Sequence, residues 1–164
     1  MDLYILRHAI AVDREEHRGK DADRPLTVQG KLKMRRIARG MRRLGLRFDV
    51  IVSSPLLRAR QTAAIVAREI SQRDKVTISP NLAPGKNPAP LLSSLADNNH
   101  ESALLVGHEP QLSRLISTLV SGSGKCSVTM KKGGLCRLSV AHTLRPGTAT
   151  LEWLVTPSQL AALR

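Results

Sequence analysis

Hydrophobic and polar positions alternate along the chain in blocks of strand length and helix length. Asp2–Leu6 (DLYIL) reads as a short buried strand and Asp49–Ser53 (DVIVS) as a second, rich in β-branched residues. Ser102–Gly107 (SALLVG) is a third, whose unbroken apolar run suits a strand covered on both faces. Val76–Ser79 reads as a short fourth. Thr27–Leu46 carries Met34, Ile37, Met41 and Leu44 at steps of three, four and three, which is one apolar face of a helix. Pro55–Ser71 and Pro110–Val120 each open on a proline, a residue suited to the first helical position. Gly134–Ala141 and Thr148–Val155 read as two strands joined by a turn at Arg145-Pro146-Gly147, and Pro157–Leu163 as a closing helix. Asp13–Arg24 and Ala83–Pro90 are charged or proline-rich and read as looser segments that rim a site. The alternation predicts an α/β fold with a mostly parallel sheet and an antiparallel edge. A length of 164 residues predicts one domain, 1–164.

Composition narrows the possibilities. With 41% hydrophobic residues but one Tyr, one Phe and one Trp, the core has to be aliphatic. Base stacking on aromatic platforms lacks its rings, which argues against nucleic acid as the partner. The longest apolar runs fall short of the roughly 18 residues that a membrane span needs. The start shows no basic leader followed by an apolar stretch, and two cysteines are too few for a disulfide scaffold. The expectation is a cytoplasmic protein with reduced thiols. The formal net charge of +13 predicts anionic partners. Its densest part, Lys31–Arg47, holds eight Lys or Arg and no acid. The simplest reading of that run is the solvated face of the helix; a docking surface for an acidic protein or nucleic acid is the alternative.

Three short stretches carry candidate chemistry, each just past a predicted strand: Leu6-Arg7-His8-Ala9, the run from Ser53 to Thr62 (SSPLLRARQT), and Val106-Gly107-His108-Glu109-Pro110. Ligands of open α/β sheets bind outside the carboxyl ends of the strands. These three ends would bring His8, His108, Arg7 and Arg58 to one rim, where four potential cations repel each other unless an anion sits among them. Ser54 as N-cap and Pro55 as first residue would put Arg58 in the first turn of a helix whose free amides face the same rim. A phosphoryl group fits such a place. Walker-type glycine loops, HExxH and G-x-S-x-G are absent from the sequence. A neutral imidazole is a competent nucleophile toward phosphorus. Phosphoryl transfer otherwise asks for positioning and charge neutralisation, which two arginines and a protonated second histidine can supply without a metal or cofactor.

Leu-Arg-His near the start, Ser-Ser-Pro-Leu-x-Arg-Ala-x-Gln-Thr in the first third and Val-Gly-His later resemble the histidine phosphatase superfamily, with its phosphoglycerate mutase-like fold. Ala9 departs from the Gly usual after the catalytic His. The short length and Arg24-Pro25-Leu26-Thr27-x-x-Gly30 look like the SixA branch of phosphohistidine phosphatases, which lacks the inserted helical lobe of larger members. The resemblance implies a three-layer sandwich, His8 as the phosphorylated nucleophile, Arg7 and Arg58 as the phosphoryl clamp, and His108 as a protonated stabiliser of the transition state. Arg24 matches a segment beside the pocket and would bind phosphate or substrate, if it is not a plain surface arginine.

The general acid has no evident owner. Glu109 is one candidate, though it also suits a helix cap; an acid of the Asp13–Asp23 loop is another. An imidazole leaves more readily than an alkoxide, so a missing acid favours a phosphohistidine substrate on a protein. A phosphatase of small phosphate esters, such as sugar or nucleotide phosphates, is the nearest alternative. A non-catalytic basic binding module is the third. Nothing in the residues sets the oligomeric state.

Overall fold

The computed structural model describes residues 1–141 and 143–163. Its strands are β1 (Asp2–Arg7), β2 (Val50–Ser53), β3 (Val76–Ile78), β4 (Ser102–Gly107), β5 (Leu135–Val140) and β6 (Ala149–Val155). Its α-helices are α1 (Val28–Arg43), α2 (Leu57–Glu69), α3 (Ala89–Asp97), α4 (Gln111–Ser121) and α5 (Pro157–Ala162). The strands form one sheet in the order β3-β2-β4-β1-β5-β6. β3, β2, β4 and β1 run parallel, while β5 and β6 add an antiparallel edge.

Two apolar layers sandwich this sheet, and the period of two along each strand sorts side chains between them. Tyr4, Leu6, Leu104 and Val106 face α1, α2 and α5, where they meet Met34, Ile37, Met41, Val66 and Leu160. Leu3, Ile5, Ala103 and Leu105 face α3 and α4, against Leu92, Leu95, Leu112 and Ile116. Strands covered on both faces read as continuous apolar runs, as β4 does. The three aromatic residues gather in the first layer, with Tyr4 5.1 Å from Phe48 and 5.9 Å from Trp153 between ring centroids. Cys136 lies in the opposite layer, where burial pushes its thiol up to about 12 and keeps it unreactive.

Several element ends differ from the sequence reading. α1 stops at Arg43, and Leu44, the last of the apolar stripe, is 46% exposed because the chain turns through Gly45 at φ 70°. α2 begins at Leu57 with Leu56 as its N-cap, so Ser54 and Pro55 precede it. Ser54 still belongs to the sheet: its amide donates to the Val106 carbonyl at 2.9 Å. α3 falls where the sequence predicted a loose Ala83–Pro90 segment and nothing helical after it. Pro90 occupies its first turn, where a missing N–H costs nothing. α4 starts one residue after the predicted Pro110, which acts as its N-cap.

One close approach fixes how α1 meets the loop after β1. Thr27 caps α1 by accepting from the Gly30 amide at 2.8 Å, and its own amide donates to the Ile10 carbonyl at 3.1 Å. A Cβ on Gly30 would stand 2.0 Å from that carbonyl oxygen, so only glycine allows the contact. Gly30→Ala is therefore expected to cost at least roughly 1–3 kcal/mol, as overpacking does. Urea unfolding reads this directly. An unchanged midpoint would show that α1 and the Ile10 loop are not held against each other.

Candidate active site

The site grows out of strand register. Arg7 of β1 pairs with Gly107 of β4, and Ser53 of β2 with Val106. The ladder then continues one step, with the His8 amide donating to the Gly107 carbonyl at 3.1 Å. Neighbouring parallel strands thus deliver His8, Ser54 and His108 to one level. The rings of His8 and His108 lie with centroids 5.0 Å apart and planes inclined at 53°. Both are buried, at 6% and 2% exposure.

The His8 ring is held in one tautomer. Its Nδ1 lies 2.7 Å from the Ala9 carbonyl, which can only accept, so Nδ1 carries the proton and Nε2 keeps its lone pair. The Ala9 amide donates to Thr62 Oγ1 at 3.1 Å, and Thr62 Oγ1 donates to the Arg58 carbonyl at 2.7 Å. The turn bearing His8 is thereby tied to the first turns of α2. Burial, against a smaller opposing effect of the Ala9 hydrogen bond, pushes the His8 pKa down to about 4, and the charges of Arg58, Arg7 and Lys132 push the same way. The ring is neutral at pH 7.

His108 Nε2 shares a 2.8 Å hydrogen bond with Ser54 Oγ, while its buried Nδ1 has no partner among the described residues. Burial first, then His8 and Arg58, push its pKa down to about 3, with Asp21 opposing. The protonated state that the family resemblance implied is therefore not supplied by the protein's own groups. A proton on His108 has to come with a neighbouring anion.

Asp21 is one of the Asp13–Asp23 acids offered as a general acid, but its pairing with Arg58 was not foreseen. It sits in a one-turn 3₁₀ segment, Asp21–Asp23, inside the stretch read as loose loop. Its main-chain oxygen accepts from Arg58 Nη1 at 2.9 Å and its Oδ2 from Arg58 Nη2 at 3.1 Å. Its Oδ1 accepts from Arg24 Nε at 3.0 Å and lies 3.4 Å from Arg14 Nη1. Arg58 is 4% exposed, and its Nε is buried without a partner among the described residues. Burial would raise the Asp21 pKa, but the charges and hydrogen bonds of Arg58 and Arg24 outweigh it and hold the carboxyl below its usual range.

The other sequence candidates fall as follows. Arg7 donates from Nη1 to the Met130 carbonyl at 2.7 Å. Arg24 is half-buried and also donates to the Val12 carbonyl at 2.7 Å, so it braces the loop around Asp21. Glu109 spends both carboxylate oxygens on Ser113, accepting from its amide at 3.1 Å and its hydroxyl at 2.7 Å. That is the capping role, on the first turn of α4. Lys132, half-buried and close enough to depress His8, is a further cation of the rim. Ser54 and Thr62 stood inside the predicted motif, but their contacts needed the fold. Among the described residues, no group of three or more His, Cys, Asp or Glu side chains is placed to hold a metal, and no helix is long and apolar enough to cross a membrane.

Comparison with known proteins places this arrangement. The family model described as "Histidine phosphatase superfamily (branch 1)" matches residues 3–83. An uncharacterized protein of Picosynechococcus sp. is 38% identical over 158 residues, covering 93% of this chain and 89% of the relative. Phosphohistidine phosphatase SixA of Escherichia coli (strain K12) is 24% identical over 163 residues, covering 98% and 96%. Among solved structures, protein histidine phosphatase SixA complexed with tungstate superposes with a TM-score of 0.85 at 23% identity, covering 98% and 99%. A phosphoserine phosphatase mutant of Entamoeba histolytica with phosphoserine gives 0.70 at 18%, covering 97% and 98%. At such identities the superpositions speak for the fold alone.

The depressed histidines make a stability prediction. Both folded pKa values lie below the unfolded value near 6.5, so the unfolded chain binds more protons as pH falls from about 6.5 toward 4. Stability contributed by keeping the rings neutral is present above that window and is lost within it, at up to about 1.4 kcal/mol per pH unit per ring. Urea unfolding at pH 7, 6, 5 and 4 should show this slope, and His8→Asn/His108→Asn should flatten it. An equal slope in the double variant would show that the rings do not carry it.

Proposed function

The chain belongs to the histidine phosphatase superfamily, and on that premise we propose that it is a protein phosphohistidine phosphatase working through a phosphorylated His8. The observation that carries this reading is the His8 ring: neutral, with Nδ1–H committed to Ala9 and the Nε2 lone pair free, 5.0 Å from a second imidazole. In the first step Nε2 attacks phosphorus and the bond from phosphorus to the leaving nitrogen breaks. The substrate ring departs as neutral imidazole when its other nitrogen carries a proton. His8 then bears the phosphoryl group on Nε2 and keeps the Nδ1 proton. In the second step water attacks phosphorus, the P–Nε2 bond breaks, and phosphate and one proton are released.

Arg7 and Arg58 serve as the clamp that neutralises the transferred oxygens, with guanidinium geometry suited to paired contacts. His108 takes up a proton as the phosphoryl dianion arrives, since a nearby anion favours the charged ring. Ser54 fixes its orientation through Nε2. Arg24 acts through Asp21 and Val12 rather than as an established phosphate ligand.

Two carboxylates beside the machinery, Glu109 next to His108 and Asp21 on Arg58, favour an N–P substrate over an ester. Glu109 is engaged by Ser113, and Asp21 is held ionised by Arg58 and Arg24. Neither is poised to protonate an alkoxide, and a departing imidazole needs no such help. Small phosphate esters are the competing substrates, and a panel comparing phosphohistidine peptide with sugar phosphates and p-nitrophenyl phosphate separates them. Preference for the esters by orders of magnitude would overturn the assignment.

Two further outcomes are expected. His8→Ala should lower turnover by at least roughly 10⁴-fold and remove acid-labile labelling of the protein by a phosphodonor. Retained labelling would exclude His8 as the nucleophile. With a His8 pKa of about 4, the neutral ring persists through mild acid. On an acid-stable ester, the acid limb of kcat/KM assigned to His8 should lie near pH 4, with activity lost below it; a limb near 6.5 would mean that the ring is not desolvated in solution.

A further inference from the structure

The helices α1 and α2 carry a cationic surface that the chemistry above leaves unused. They run side by side from the site end of the sheet. Arg58, in the first turn of α2, holds Asp21, and Thr27, just before α1, is bonded to Ile10, two residues past His8. Farther along, Arg39 Nε lies 3.3 Å from Glu69 Oε2, the one ion pair on this face among the described residues. Two exposed stripes result. Along α1 stand Val28, Leu32, Arg35 and Arg39 at steps of four, three and four; along α2 stand Arg60, Ala64 and Arg68 at steps of four. A hollow of about 170 Å³ between Arg35, Ala64, Ile65, Arg68 and Glu69 joins them.

This face has two properties together. Its charge is mainly positive, with Glu69 as the acid that pairs with Arg39, and Arg35 and Arg39 stand a helical turn apart, which disfavours a helix in isolation. Its end nearest the site is apolar, since Val28 is 74% exposed and Leu32 46%. A duplex presents phosphates but no apolar surface at that spacing. An acidic protein surface with a few apolar side chains complements both parts, and the net charge of +13 would speed its approach. We infer that the α1–α2 face is the docking surface for an acidic region of a phosphoprotein substrate, holding it while its phosphoimidazole reaches His8. The inference rests on the phosphohistidine reading and adds to it the place and chemistry of substrate recognition.

Two synthetic phosphohistidine peptides test it, identical except that the six residues flanking one side are all Glu in one and all Gln in the other. Wild-type protein should hydrolyse the Glu peptide with kcat/KM about tenfold higher, through a lower KM, and 0.5 M sodium chloride should remove the advantage. Arg35→Glu/Arg68→Glu, with Arg60→Gln as a milder control, should abolish the preference while leaving turnover of the Gln peptide unchanged, which also shows that the variants fold. Equal rates on the two peptides, or a preference that survives charge reversal, overturns the proposal. If wild type hydrolyses neither peptide, the phosphohistidine reading fails; the surface is then judged by fluorescence anisotropy of the unphosphorylated Glu peptide, which must bind wild type and not the reversed variant. Binding of a DNA or RNA duplex through these arginines, with no Glu-peptide preference, assigns the face to nucleic acid and overturns the proposal.

Discussion

The parallel pairing of β2, β4 and β1 is the constraint on which the site depends. Ser53, Val106 and Leu6 lie abreast in that ladder, and hydrogen bonds from Ser54 and His8 extend it beyond the strand ends. A register slip by one residue would turn every side chain to the other face of the sheet. The apolar residues resist such a slip, because Tyr4 and Leu6 belong to one layer while Leu3 and Ile5 belong to the other. The aliphatic sandwich therefore positions the imidazoles as a consequence of burying its own side chains.

Burial then sets the protonation states. Desolvation is the largest influence on both rings, and it favours the neutral form. The guanidiniums around them keep their charge, and Asp21 is the internal anion that lets Arg58 be almost fully buried. Unpaired, that cation would be costly to hold inside the protein. The result is a positive site with neutral nucleophilic nitrogen, two conditions that oppose each other in water and coexist here because one group loses its proton easily and the other does not.

Charge elsewhere follows a different rule. Apart from Arg58 and Thr62 at the rim, the buried faces of α1 and α2 are apolar, so their other arginines point outward to solvent. Long basic side chains tolerate that placement well in water. What their solvation does not explain is the exposed Val28 and Leu32 in line with them at the end nearest the catalytic rim.

Much of this was legible in the chain itself. Apolar and β-branched runs, the one-faced stripe of Thr27–Leu46 and prolines at helix starts located every strand and four of the five α-helices among the described residues, since burying apolar surface is a local demand repeated along the sequence. The motifs at strand ends pointed to His8, Arg7, Arg58 and His108, because residues beyond a buried strand emerge at the rim. α3 was missed because Pro88 and Pro90 look like loop punctuation when their role as helix openers depends on Leu91, Leu92 and Leu95 finding a layer to pack against. Ser54 looked like a cap, and the strand pairing turned it instead into a partner of His108. Asp21 carried no local signal to set it apart from the other acids of the Asp13–Asp23 loop. The amino-acid order alone determined which segments are buried and which reactive groups lie past their ends; only the tertiary structure decided which carboxylate meets which guanidinium and which ring nitrogen keeps its proton, because those outcomes depend on distances between residues far apart in the chain.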